Sequence, residues 1–254
     1  MAYPTVLYSA DGEQYNTYRN DNQILPYGTQ MVMQDGRKFR FGRAGGTTLV
    51  AANVQQAGIN TPNHVDTTAV ATAINARAGV TTLGATAATV NDYREGYMVV
   101  SVTPDGGSIY VIGSHAAVAS AGEFTGNFAP GFALKAAWTT TSRIDLIRNP
   151  YRAAIEAVGT TVTAPIIGVA VMALAANSTN AALSHGWFAT HGPCAVETDG
   201  TLVVGQRAVT AADAGELAPA TGVIATYIVE QEVGIVMRVA ADTAFSTIFL
   251  TIDK

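Results

Sequence analysis

From Ala157 to Val196, forty consecutive residues pass without an Asp, Glu, Lys or Arg. A solvent-facing antiparallel sheet normally shows charge at alternate positions. This stretch is therefore expected to be covered on both faces, by the domain core on one side and by a subunit interface on the other. The whole chain leans the same way. Of its 254 residues 48% are apolar and 13% charged, against roughly 25% charged in a typical globular chain. Too little charge is available to coat a free-standing monomer, so burial against copies of itself or a larger assembly is expected.

The local pattern is that of strands. "TQMVMQDGRKFRFGRAGG" carries two short alternating runs about an Asp-Gly pair, with Met31 and Met33 in the first and Phe39 and Phe41 in the second. Period two around Asp-Gly is a strong hairpin signal. The dipeptide recurs at Asp11-Gly12, Asp105-Gly106 and Asp199-Gly200, so four of the eleven Asp residues have a turn explanation before any chemistry. His185 to Val209 reads as two strands joined by the Asp199-Gly200 turn, with Trp187 and Cys194 in a core or subunit contact. Helical candidates are few; "HVDTTAVATAINARAG" has Asp66 as an N-cap and spacing at Val70, Ile74 and Ala78, weakened by Thr67, Thr68 and Thr72. An all-β chain of sandwich or barrel modules with hairpins follows.

Four segments are expected. Residues 1–24 form an extended arm, rich in tyrosine and poor in aliphatics, whose Tyr3, Tyr8, Tyr15 and Tyr18 are anchors for a neighbour's surface. Residues 25–58 are a hairpin region joining the main body, 59–149 a β-rich middle stretch, and 150–254 a C-terminal barrel or sandwich. The middle stretch is either its own module or an elaborated part of the larger one.

Net charge of -5 argues against a protein that neutralises nucleic-acid phosphates. A single cysteine excludes an intramolecular disulfide framework. The first residues lack the regions of a signal peptide, and the longest apolar run, Ala164 to Ala176, is too short to span a bilayer. A soluble protein made in the cytosol is the expectation.

Candidate chemistry is sparse. His185, His191 and Cys194 are suitable metal ligands, but H-x5-H-x2-C matches no zinc pattern, and on one strand the histidines lie roughly 20 Å apart. Cys194 enters a strand and reads as a small hydrophobe. No nucleophile elbow, P-loop, dinucleotide fingerprint or paired carboxylates are recognisable, so neither a reaction, a metal nor a cofactor is expected. Arg37, Lys38, Arg40 and Arg43 concentrate positive charge. They read as the solvated face of an edge hairpin, guarded against stray strand pairing, or as a patch that meets an acidic neighbour. Trp187, with Trp138, Phe128 and Phe132, reads as a core or interface aromatic.

The phrases "TLGATAATVNDYREGYMVV", "YVIGSHAAVAS", "TTTSRIDLIRNPYRAAI", "HGWFATHGPCAVETDGTLVVGQRAV" and "ADTAFSTIFLTID" together resemble the capsid decoration, or cement, proteins of tailed bacteriophages, especially environmental and aquatic ones. The likeness runs from about Leu25 to the C-terminus and rests on phrases and their order. It implies a β-rich virion protein with no cofactor and no reaction, bound outside a shell built from a separate major capsid protein. It further implies a homotrimer beside neighbouring decoration subunits, with an arm along the shell, and no nucleic-acid or membrane partner. The interface candidates are then Tyr3, Tyr8, Tyr15, Tyr18, Arg37, Lys38, Arg40, Arg43 and Trp187. The alternatives are a head-fibre, tail or receptor-binding protein that reads host glycan through Gly126 to Trp138, and, third, a hydrolase on a β scaffold.

Overall fold

The computed structural model describes residues 6–157, 163–220 and 231–253. The chain is all-β; among the described residues helix is limited to the 3-10 turns Glu13–Tyr15 and Pro62–His64. Two compact units are present, one of residues 1–58 with 150–254 and one of Ile59–Asn149. Residues 150–254 are thus not a module by themselves: they share a sheet with the N-terminal segment.

The first unit opens with β1 (Val6–Ser9), β2 (Tyr18–Arg19), β3 (Gln30–Met33), β4 (Lys38–Arg43) and β5 (Val54–Gln56). The second holds β6 (Thr67–Ala69), β7 (Ala78–Thr82), β8 (Tyr97–Val102), β9 (Ile109–Ser114), β10 (Glu123–Phe128) and β11 (Arg143–Ile147). The chain then returns to the first unit with β12 (Ile155–Glu156), β13 (Ile166–Ala170), β14 (Leu183–Glu197), β15 (Arg207–Thr210), β16 (Leu217–Pro219), β17 (Glu232–Arg238) and β18 (Phe245–Thr251).

In the second unit, strands in the order β10-β7-β6-β11-β8-β9 close into an antiparallel barrel. Alternate residues point inward, so Met98, Val100, Tyr110, Ile112, Phe124, Ile144 and Leu146 fill the barrel. Trp138 lies against Gly79, where an added Cβ would stand 2.4 Å from the indole ring. The helix expected near Asp66 is absent. Thr67 and Thr68 lie instead in β6, which pairs with β7, consistent with the χ1 stiffness of β-branched residues, and the backbone N–H of Asp66 is taken by Asp145 at 2.7 Å.

The first unit is one large sheet, ordered β1-β3-β4-β14-β18-β17-β15-β16, with β2, β13, β5 and β12 attached to it through β14. The Asp35-Gly36 hairpin forms as its alternation demands, β3 against β4 with Met31 opposite Phe39. The second expected hairpin does not. β14 ends at Glu197, before the Asp199-Gly200 turn, and pairs with β18, while β15 pairs with β16 and β17. Nor is the N-terminus a free arm over its described residues: β1 lies parallel to β3, Gln14 is buried, and β2 joins β14.

β14 accounts for part of the charge-free stretch, while residues 172–183 are exposed or half-buried apart from Leu174. Ser184 to Thr190 are buried without a break. Trp187 and Ala189 enter the main core on one face, while Phe188 enters a second cluster with Leu49, Ile167 and Leu174 on the other. Both covers come from the same chain, so Ser184 to Thr190 need no subunit interface. An irregularity between Ala189 and His191, followed by Gly192 at φ 90, then reverses the alternation, so that Cys194 and Val196 face the main core.

Candidate functional site

The residues singled out above fall mostly in the first unit. His185 is fully buried, its ring nearly parallel to those of Tyr27 at 5.8 Å and Phe41 at 5.7 Å, which themselves lie 6.5 Å apart. Its Nδ1 lies 3.0 Å from the carbonyl of Arg19, which can only accept, so Nδ1 carries the proton and Nε2 accepts from the Tyr27 hydroxyl at 3.1 Å. Burial, and then the Arg43 charge, push the imidazole pKa down to about 4. The guanidinium groups of Arg43 and Arg152 both lie over the Tyr27 ring, at 6.0 and 5.7 Å. This is a neutral histidine whose nitrogens are both spent.

The basic cluster is neither an edge nor a free patch. β4 lies between β3 and β14, and the arginines find their partners within the chain. Arg37 reaches Asp35 at 2.6 Å and Asp11 at 2.9 Å. Arg40 grips both oxygens of Asp253, at 2.7 and 2.9 Å, and donates to the carbonyl of Gly28. Burial alone would raise the pKa of Asp253, but the bond and charge of Arg40 outweigh it, Lys38 adds its charge, and the carboxyl is held below its usual range. Arg43 donates to the carbonyl of Arg152 and to Asn20.

His191 and Cys194 line one cleft of about 200 Å³, with Gln14, Tyr15, Arg37 and Phe39. Burial raises the Cys194 thiol to about 12, although Arg37 opposes the shift, so the thiolate needed for nucleophilic chemistry is suppressed at neutral pH. His191 sits edge-on to Phe249 at 5.3 Å. Among the described residues no group of three or more His, Cys, Asp or Glu is placed to hold a metal ion.

Tyr3 lies outside the described residues. Tyr8 is 85% exposed on β1, and Tyr15 is exposed at the mouth of the cleft. Tyr18 turns inward, donating to Glu13 at 2.8 Å and packing edge-on to Phe41. Trp187 is buried in the main core, 5.4 Å from Phe41, and offers nothing to a neighbour. Of the aromatic platform expected at Gly126 to Trp138, Phe128 and Trp138 are buried in the barrel with Leu134, and only Phe132 is left exposed.

Three features escape a linear reading. In the barrel unit, Asp105 takes hydrogen bonds from Ser108, Tyr110 and the Trp138 indole at 2.7, 2.6 and 3.0 Å; the Asp-Gly signal marked only its turn. Tyr93 bridges two buried histidines, its hydroxyl to His64 Nδ1 and its backbone N–H to His115 Nε2. His64 Nε2 and His115 Nδ1 donate to carbonyls at 2.8 Å each, while Arg148 covers the Tyr93 ring and pairs with Asp92. In the first unit, Ile235, Met237 and Phe245 stand exposed on strands β17 and β18. Nothing in their alternation distinguishes the two sides of those strands, because all the apolar positions look alike.

No family model, curated protein or solved structure matches the chain.

Proposed function

We propose that this chain is a structural virion protein that binds the outside of a tailed-phage head as several associated copies and braces the shell. The observation that carries the reading is the edge of the first unit's sheet. β1 pairs only with β3 among the described residues, and it presents Tyr8 almost wholly to solvent with Tyr15 nearby in sequence. An unpaired strand edge offers main-chain hydrogen bonds, and a tyrosine adds a rigid amphipathic anchor at small entropic cost; together they suit attachment to another protein. The sparse charge of the chain and the likeness of its phrases to capsid decoration proteins support the same reading. The major capsid protein is the proposed partner, and no reaction or cofactor is assigned.

Many copies on one lattice turn a modest contact into a strong collective one, and whatever binds only the intact shell stabilises it. The test is co-sedimentation of the purified chain with undecorated heads of the phage that encodes it, followed by heating. Bound protein and a higher temperature of genome release are expected, with Tyr8→Ser binding more weakly. Heads that sediment bare would overturn the reading.

A further inference from the structure

The sheet of the first unit is covered unevenly on the side away from its main core. Over the first half of β14, the chain's own Leu49, Ile167 and Leu174 enclose Phe188. Beyond the bulge Cys194 and Val196 turn to the main core, which leaves Pro193 and Ala195 exposed. The register then runs Pro193, Phe249, Ile235, Arg207 across β14, β18, β17 and β15. Ile235, Met237 and Phe245 keep 42%, 48% and 50% of their surface in solvent, and Val203 and Val204 keep 60% and 61%. The loop that carries these valines is tied to β17 through Gly205 N–H and the Val236 carbonyl at 2.8 Å.

We infer that this β14–β18–β17 face is where a second copy of the chain packs, sheet face against sheet face. Size is the first argument. The exposed apolar surface of Ile235, Met237 and Phe245 alone amounts to roughly 300 Å², the scale of the largest patch on a typical monomer and one that often marks an interaction site.

Charge is the second argument. The strands of this face carry Glu197 and Glu232 against Arg207 and Arg238, two of each sign, and Arg207 already pairs with Glu232 at 3.4 Å. A surface that must meet itself across a two-fold axis needs such balance, because every charge is presented twice. Two apolar sheet faces pack about 10 Å apart with side chains interleaved. A contact of this kind persists at high salt, where ion-pair contacts weaken.

The inference rests on the proposed function in so far as that reading has several copies associate, but the two fail separately: head attachment is tested on heads, whereas self-association is read on the purified chain alone. The experiment is the solution mass of the full-length protein by analytical ultracentrifugation over a range of concentrations. The wild type is expected above the 26.3 kDa of one chain. Met237→Asp, on a side chain already half in water, is expected to weaken association by at least about tenfold with its thermal unfolding unchanged. As a second measure, Thr247→Cys in a Cys194→Ser background is expected to form an intermolecular disulfide under mild oxidation. A wild type of 26.3 kDa throughout, or a folded Met237→Asp of wild-type mass, or no cross-link from Cys at position 247, overturns the inference.

Discussion

Arg40 and Asp253 lie 213 residues apart in sequence and meet through two hydrogen bonds, Nε at 2.7 Å and Nη2 at 2.9 Å. Gln30 and Thr190 donate to the same carboxylate at 3.3 Å, so the end of the chain is fastened to β3, β4 and β14 together. Asp253→Asn is expected to cost about 1–3 kcal/mol in denaturant unfolding, because a half-buried guanidinium loses its ionic acceptor. Arg40→Lys is expected to lose most of the same stability, since an ammonium has no fork. Two variants as stable as the wild type would show the clasp to be idle.

His185 makes stability depend on pH. Its pKa falls from 6.5 in the unfolded chain to about 4 in the fold. The unfolded state therefore binds the extra proton first. The contribution is complete above pH 6.5 and is lost as pH falls toward 4, amounting to at most about 3 kcal/mol. In His185→Phe this part of the slope should vanish, whatever the absolute cost of leaving the Tyr27 hydroxyl without its acceptor. Denaturant unfolding of both proteins between pH 7 and pH 4.5 measures it; parallel curves would refute the assignment.

Cys194 should be slow to react. With its thiol pushed up to about 12 by burial, the native protein is expected to take up an aromatic disulfide reagent at pH 8 far more slowly than the denatured chain. Equal rates would mean that the thiol is open to solvent. Cys194→Ala is expected to cost on the order of 1 kcal/mol, as a packing change does.

Gly79 is where the barrel has no room. A Cβ there would meet the Trp138 ring at 2.4 Å, so Gly79→Ala is expected to destabilise the second unit by about 1–3 kcal/mol. The chain's two tryptophans fall one in each unit. Trp187→Phe therefore leaves Trp138 as the only indole reporter, and its fluorescence transition should shift to lower denaturant in the double variant. An unmoved transition would show that the ring can give way.

Several residues were legible in advance for a local reason. Met31, Met33, Phe39 and Phe41 alternate about Asp35-Gly36, and both periodicity and turn chemistry are properties of adjacent residues. The same grammar misled at Asp199-Gly200. The turn residues are there, but the long β14 found a better partner in β18, and nothing local encodes that choice.

Arg37 and Arg40 show the same limit at the level of charge. Their clustering is plain in the sequence, yet whether they guard an edge, face a partner or stay at home depended on where Asp11 and Asp253 came to lie. Trp187 was readable as core or interface and not as one of the two. Strand periodicity, turn residues and scarcity of charge are written along the chain, and they were enough for an all-β class. The face each strand buries was decided only in the assembled sheet. The bulge between Ala189 and His191 inverts the alternation of β14, covering Phe188 while leaving Pro193 and Ala195 bare. Such a shift arises from pairing with distant strands, whose cost and reward are settled by packing across the whole unit.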